Sequence, residues 1–299
     1  MVRHRMTAHL VIVLSIGALT ALRPTGAAGQ DLGQLYVEAL DGAGQPVAEL
    51  TTADFTVTED GVPGRIVSAV AGGAPMRIAL LVGNGHQMNE VNATNPMRSG
   101  LNAFLDTLPP QHEVTIFSIA RNIRQMVDFT TDRDELKEGA GLIFPEVGAG
   151  VDLLDGIKET WERRFEDVES FPVFVLVLAD GIEGSSNFSD DAYADLLYML
   201  VENGVTVHTA MLMTRGGSQI SNIGENLSAF TGGLYENINT ATGFPDVLTS
   251  IATRMGEHFD EVANRYRIVF EPAPSGGQIS LQLNRPGITV RLFADRRMQ

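Results

Sequence analysis

The sequence Met76-Arg-Ile-Ala-Leu-Leu-Val-Gly-Asn-Gly-His-Gln-Met88 joins an apolar strand pattern to a polar turn. Its apolar run, residues 78–82, ends abruptly at Gly83, and a helical pattern begins near Pro96. A short apolar run that stops at a glycine predicts a central strand of a parallel sheet, buried on both faces. Ligands of open α/β sheets bind at the carboxyl ends of such strands, so the loop after this strand is the first place to look for function.

The chain has the composition of a globular protein with a large excess of acidic residues. It contains 299 residues, of which 44% are hydrophobic and 19% charged, and its net charge is −16. Nucleic-acid binding depends on a basic surface that displaces counterions from phosphates. The acidic balance therefore argues against nucleic acid as a partner. The sequence contains no cysteine, so its stability must come without disulfides.

The first 29 residues have the layout of a secretory signal peptide. Arg3 and Arg5 give a basic start, residues 10–22 form a mostly apolar run, and residues 25–30 are mainly small residues suited to cleavage. The apolar run is shorter than the roughly 20 residues that a membrane-spanning helix needs. We therefore expect cleavage and an extracytoplasmic protein, periplasmic or secreted, with no membrane span. A retained anchor is the alternative.

Strand patterns at the two ends of the chain predict a small accessory β layer. Short alternating runs occupy residues 35–40, 54–59, 65–70, 266–270, 278–283 and 288–293. Short edge strands are only marginally stable alone. We therefore expect an amino-terminal β segment, residues 30–72, to pack as an antiparallel layer with a carboxy-terminal β segment, residues 264–299.

Between residues 73 and 263, strand and helix patterns alternate. Predicted strands cover residues 78–82, 113–119, 171–179 and 205–211, and predicted helices cover residues 95–108, 151–164, 190–202, 219–231 and 244–263. Alternation of this kind predicts an α/β domain with a doubly wound, mainly parallel sheet that is flanked by helices on both faces. His208 falls in an apolar strand and is expected to be a hydrogen-bonded core residue.

Five sequence landmarks follow one another along residues 33–295. They are Gly44-Gln-Pro-Val-Ala-Glu-Leu-Thr-Thr-Ala-Asp-Phe-Thr-Val-Thr-Glu-Asp-Gly61, Leu178-Ala-Asp-Gly181, Ala229-Phe-Thr-Gly-Gly233, Arg265-Tyr-Arg-Ile-Val-Phe-Glu-Pro272 and Arg285-Pro-Gly-Ile-Thr-Val290. With these landmarks and its order of elements, the chain resembles a von Willebrand factor type A domain. More closely, it is similar to the exported VWFA-related proteins that are abundant in acidobacteria.

The resemblance implies a metal-ion-dependent adhesion site that has degenerated. Type A domains commonly bind a divalent cation through an Asp-x-Ser-x-Ser loop, a threonine loop and an aspartate loop. Their first aspartate falls on Gly83, their two serines on Gly85 and Gln87, and their threonine on Val151, whereas the last aspartate remains as Asp180. One carboxylate does not hold a hydrated Mg²⁺ ion, which keeps near-octahedral oxygen coordination. We therefore predict no metal and no other cofactor.

The same loops allow three other interpretations: a retained Mg²⁺ site, a dinucleotide-binding loop and a structural role for Asp180. If Mg²⁺ still binds at the Asp180 loop, Asp152, Asn84 and Gln87 are the residues that would add oxygen ligands. The Gly83 loop superficially matches the dinucleotide motif G-x-G-x-x-G, but its third glycine is replaced by methionine and no acidic residue ends the second strand. Without an ion, Asp180 is expected to accept hydrogen bonds from the backbone N–H groups of Ile182 and Glu183, as in an Asx turn.

The resemblance favours a non-catalytic protein-binding or scaffolding module of the bacterial envelope, with a role in adhesion. The candidate contacts with an unidentified protein partner are Asn84, His86, Gln87 and Asp180. The first alternative is an envelope hydrolase that uses His86. Its candidate bases are His86 and His112, and its candidate nucleophiles are Ser118, Ser185 and Ser186. No Gly-x-Ser-x-Gly or His-Glu-x-x-His pattern occurs. The second alternative is a purely structural envelope component.

Overall fold

The computed structural model describes residues 33–71, 74–165, 171–185, 188–215, 217–263, 265–271 and 277–293. The predicted signal peptide, residues 1–29, lies outside these residues. The described chain forms two compact units. The first unit combines the segments before residue 73 and after residue 263, and the second comprises residues 74–263. In the part of the chain that is described, no helix has the length and apolar character needed to cross a bilayer.

Twelve strands and seven α-helices occur within the described residues. The strands are β1 (Gly33–Leu40), β2 (Phe55–Glu59), β3 (Val62–Ala71), β4 (Met76–Gly83), β5 (Glu113–Ile119), β6 (Ile123–Thr130), β7 (Phe171–Ala179), β8 (Thr206–Leu212), β9 (Tyr235–Ile238), β10 (Arg265–Glu271), β11 (Ile279–Leu283) and β12 (Thr289–Phe293). The helices are α1 (His86–Glu90), α2 (Thr94–Thr107), α3 (Arg133–Gly141), α4 (Leu153–Arg164), α5 (Asp190–Glu202), α6 (Gln219–Thr231) and α7 (Phe244–Val262).

The first unit is a six-stranded antiparallel sheet with the order β11-β2-β3-β10-β1-β12. Strand β10 lies between β1 and β3 and pairs with both, so residues from the two ends of the chain complete one sheet. Tyr266 on β10 fixes the loop between β1 and β2. Its hydroxyl accepts a hydrogen bond from Leu50 N (3.0 Å) and donates one to Val47 O (2.9 Å).

The second unit is a six-stranded sheet with the order β6-β5-β4-β7-β8-β9. All neighbouring pairs are parallel except β5 and β6, which form an antiparallel hairpin at one edge. Residues 78–82 of β4 are fully buried and alternate between the two faces of the sheet. Helices α2, α3 and α7 cover one face, and α4, α5 and α6 cover the other. The predicted doubly wound α/β fold is therefore confirmed.

The structure departs from the predicted elements beside the β4 loop. The segment after Gly85 forms the short helix α1, whose one buried side chain is Met88. The sequence does not predict this helix, because five residues are too few to show a helical repeat of apolar positions. Helix α4 begins at Leu153 and not at Val151. Val151 instead forms a parallel bridge with Glu183, in which Val151 N donates to the carbonyl oxygen of residue 182 (3.3 Å).

Two buried histidines accept backbone hydrogen bonds through Nδ1. His112 accepts from Met76 N (3.1 Å), and His208 accepts from Leu234 N (3.1 Å), which confirms the expected core role of His208. Burial lowers the pKa of His112 to about 4, with a smaller contribution from the charge of Arg133. Burial also lowers the pKa of His208 to about 3. Both rings are therefore neutral in the folded protein at neutral pH.

The first prediction concerns stability against pH. A lowered histidine pKa means that the unfolded chain takes up a proton before the folded chain does, so stability is lost as pH falls from about 6.5 towards 4. Each histidine contributes a slope of at most about 1.4 kcal/mol per pH unit in this range. In His112→Asn, the amide oxygen can still accept from Met76 N, and one histidine's share of the slope should disappear. Urea unfolding at several pH values measures this, and equal slopes for both proteins would contradict it.

Candidate functional site

The loops after β4 and β7 meet at the point where the strand order of the second sheet reverses. Strand β4 lies between β5 and β7. Helix α2, which follows β4, covers one face of the sheet, and helix α5, which follows β7, covers the other. The crevice at such a reversal is the usual ligand site of open α/β sheets. Three loops, residues 84–85, 146–152 and 180–185, form the surface at this point together with the first turn of α1, and we call this surface the loop face.

Asn84 joins the β4 loop to the segment that precedes α4. Its side-chain Nδ2 donates to Phe144 O (2.8 Å), and its backbone oxygen accepts from Glu146 N (2.7 Å). The residue is only 4% exposed, and its Oδ1 is buried without a hydrogen-bond partner among the described residues. Asn84 therefore positions the neighbouring loop, and its side chain is not available at the surface.

His86 and Gln87 stay partly accessible on the loop face. His86 N donates to Ala149 O (2.8 Å), and His86 Nδ1 accepts from Gly148 N (3.3 Å). The other ring nitrogen, Nε2, lies 3.6 Å from a carboxylate oxygen of Glu90. The Gln87 Oε1 atom accepts from the Thr214 hydroxyl (3.4 Å). Of the four predicted partner contacts, these two are the side chains that a docking protein can reach.

Asp180 is turned into the protein and is 1% exposed. Its Oδ1 accepts from Gly181 N (3.0 Å) and from Ser221 N (3.1 Å), and its carbonyl oxygen accepts from the Thr214 hydroxyl (2.8 Å). The expectation that Asp180 accepts from the N–H groups of residues 182 and 183 is wrong. The carboxylate reaches instead to the first turn of α6, and so it fixes the β7 loop to that helix.

A cleft of about 170 Å³ opens between the three loops. Its walls are glycines and aliphatic side chains, including Gly83, Gly85 and Val151, together with His86 and Gln87. No carboxylate from the described residues lines it. The site is therefore an apolar depression with backbone walls.

Large apolar side chains are exposed around this cleft. Ile182, which lines the cleft, is 68% exposed, and Val147, next to a lining glycine, is 73% exposed. Phe144 is also exposed, and the guanidinium carbon of Arg98 lies 4.5 Å from its ring centroid. Exposed apolar residues that border a pocket are typical of interaction sites.

The fold agrees with that of solved proteins. A von Willebrand factor type A protein from Catenulispora acidiphila superposes with a TM-score of 0.54 at 10% identity, over 90% of this chain and 73% of that one. Proximal thread matrix protein 1 from the mussel byssus, with a zinc-occupied MIDAS motif, superposes with a TM-score of 0.51 at 10% identity, over 79% of this chain and 50% of that one. No protein-family model matches the chain, and no curated protein matches it at a significant level.

The chain has the von Willebrand factor type A fold. Apolar groups crowd Gly83 and Gly85, the positions on which the sequence resemblance places type A ligands. A Cβ on Gly83 would stand 2.8 Å from Leu178 Cδ2 and 3.5 Å from both methyl groups of Val151. A Cβ on Gly85 would stand 2.9 Å from a Val151 methyl group and 2.9 Å from Gly150 O. The side chains of Val151 and Leu178 therefore occupy the space that type A side chains would need at positions 83 and 85.

Glu183 and Ser185 position α4, a role that the sequence does not predict for either residue. Glu183 Oε1 accepts from Leu154 N (3.3 Å), and Ser185 Oγ accepts from Asp155 N (3.0 Å) and donates to Glu183 (2.6 Å). A loop about 30 residues away in sequence thus caps the amino terminus of α4. Sequence rules for helix caps consider only neighbouring residues, so they do not predict this cap. Burial, followed by the charges of Glu183 and Asp155, raises the pKa of Asp152, the residue before this helix.

The second prediction tests the structural role of Asp180. In Asp180→Ala, the N–H groups of Gly181 and Ser221 lose their acceptor, and the free energy of unfolding should fall by about 1–3 kcal/mol. Asp180→Asn keeps an oxygen at this position and should cost less. Urea unfolding measures both changes. If the two variants are equally stable, these hydrogen bonds do not hold the loop.

Proposed function

We propose that this protein is a non-catalytic binding module whose loop face binds a protein partner without a divalent cation. The observation that carries the proposal is the chemistry of the cleft. At the reversal of strand order, where an open α/β fold presents its ligand site, the walls are glycine backbone and aliphatic side chains. Such a surface suits contact with a protein and offers few oxygen ligands to an ion.

The residues around the cleft do not fit a Mg²⁺ site. Magnesium requires near-octahedral oxygen coordination at about 2.0–2.1 Å, with carboxylates as its usual protein ligands. No group of three or more His, Cys, Asp or Glu residues able to hold a metal occurs in the described part of the chain. Asp180 is the one ligand that the resemblance retains, and its Oδ1 already accepts two backbone N–H groups.

Partner contact is assigned to His86 and Gln87. Both side chains are partly exposed, and both line the cleft. Asn84 and Asp180 are buried, so their role in binding is to hold the loops in place. Loops that a rigid sheet positions are common sites of recognition, because they vary in sequence without disturbing the core.

We also propose that the protein is exported and acts outside the cytoplasm. The basic start, the short apolar run and the small residues of positions 1–30 support export. The relationship to acidobacterial VWFA-related proteins rests on the five sequence landmarks. Within this proposal, residues 73–263 are the type A domain, and the two end segments are its accessory β layer.

The geometry of the candidate hydrolytic residues argues against the envelope hydrolase. A serine nucleophile needs a base within hydrogen-bond reach. The Ser185 hydroxyl donates to Glu183, and the Ser118 hydroxyl contacts Met126 Sδ at 3.6 Å. Within the described residues, neither hydroxyl is bonded to His86, whose Nδ1 accepts a backbone N–H.

The third prediction tests the binding module. Immobilised protein should capture a partner saturably from its native envelope extract, and EDTA should not reduce the capture, because no cation takes part. Gln87→Ala and His86→Ala should each weaken capture by about threefold to tenfold, as expected for a lost contact of about 1 kcal/mol. Gln111→Ala is the matched control, since Gln111 is exposed just before β5, at the opposite end of the sheet.

Two outcomes would contradict the proposed binding function. Release of the partner by EDTA, or saturable Mn²⁺ binding in calorimetry that Asp180→Ala abolishes, would show a working cation site. Equal loss of capture in Gln87→Ala and Gln111→Ala would show that the loop face is not the binding surface.

A further inference from the structure

We propose that the cleft receives one aliphatic side chain, of leucine or methionine type, from a partner segment whose flanking residues are basic. This inference rests on the proposed binding function and specifies the chemistry of the partner.

The size of the cleft favours a single side chain. Its volume is about 170 Å³. Sites for drug-sized molecules and cofactors usually measure about 300–1,000 Å³, whereas an apolar cavity of about 150 Å³ accepts a group as large as benzene. The cleft is therefore closer in size to one side chain than to a cofactor. A single buried anchor in a pocket is also the typical centre of a protein–protein interface.

The walls of the cleft favour an apolar side chain over an acidic one. A carboxylate that enters would lose its hydration, and no lining residue carries a permanent positive charge that would compensate. An aliphatic group loses nothing by leaving water and gains contacts with Val151 and with the exposed Ile182. Val147, beside the lining residue Gly148, would extend the apolar contact beyond the cleft.

The acidic residues beside the cleft favour a basic residue next to that anchor. Asp152 follows the lining residue Val151, and Glu183 follows the lining residue Ile182. Within the described chain, Asp152, Asp155 and Glu183 make no ion pair within 4 Å. Burial, followed by the charges of Glu183 and Asp155, raises the pKa of Asp152, and the charge of Arg121 only partly opposes this rise. A lysine or arginine of the partner would relieve this repulsion. The net charge of −16 favours the same partner and disfavours an anionic lipid surface.

The fourth prediction uses defined peptides as probes. The purified protein is titrated with Lys-Lys-X-Lys-Lys, where X is Leu, Ala or Asp, and with Glu-Glu-Leu-Glu-Glu, and backbone amide shifts are followed by NMR. The peptide Lys-Lys-Leu-Lys-Lys should bind at least about tenfold more tightly than the other three, because it alone combines a large apolar side chain with a charge opposite to that of the protein. EDTA should not change its affinity, and the shifts should centre on Gly85, Gly150 and Ile182.

Surface variants separate the anchor from the charge. Ile182→Ser should weaken the leucine peptide by about tenfold, since it removes part of the apolar wall. Phe230→Ser is the matched control, because Phe230 is 47% exposed in the last turn of α6 and α6 begins beside Asp180. Asp152→Asn should weaken the lysine-flanked peptide by about threefold and leave Ser-Ser-Leu-Ser-Ser unchanged. Thermal unfolding confirms that each variant is folded.

Each remaining outcome would overturn the inference. Equal affinity for the leucine and alanine peptides, or no shift of the cleft amides at about 1 mM peptide, would show that the cleft takes no apolar anchor. The proposed binding function would still be supported in that case if EDTA did not reduce the capture of the partner and Gln87→Ala did. Mg²⁺-dependent binding of the aspartate peptide would overturn both proposals. Binding to phosphatidylglycerol vesicles that Ile182→Ser abolishes, without peptide binding, would assign the exposed apolar residues to a lipid surface.

Discussion

The packing of Val151 against Gly83 and Gly85 is the constraint on which the loop face depends. Each glycine lets a neighbouring loop approach to a distance that a Cβ atom would not allow. The valine methyl groups fill the space so created, and the bridge between Val151 and Glu183 holds the next loop against it. Close apolar contact therefore fills the space between these loops. An aspartate introduced at position 83 would require Leu178 to move, because a Cβ there would stand 2.8 Å from Leu178 Cδ2.

Two buried polar side chains also hold the loops in place. Asn84 and Asp180 sit at the ends of adjacent strands, and both use their side chains to hold backbone groups of other loops. Their buried hydrogen bonds fix the shape of the cleft, whereas His86 and Gln87 carry its exposed polar surface. Within the proposed binding surface, the buried residues hold the loops in place and the neighbouring exposed residues are left for contact with a partner.

The sequence predicts the central sheet well because the information is local. The apolar run of β4 ends at a glycine, and β7 is a continuous apolar run, so both are read from neighbouring residues. The site is different, because it arises from residues that are distant in sequence. Ser221 lies 41 residues from the carboxylate to which it donates, and Glu183 caps a helix that begins 30 residues earlier. No periodicity or capping pattern encodes such pairs, and the apolar cleft exists only once the three loops have met.

The position of β10 in the first sheet has a consequence for biogenesis. Strand β1 has β10 and β12 as its neighbours, and both are synthesised more than 200 residues later. Contacts of such long sequence separation form slowly, because a large loop has to close first. During synthesis, the α/β unit between them has all of its strands before β1 can pair. Strand β1 therefore cannot pair with β10 and β12 until residues 265–293 have been synthesised.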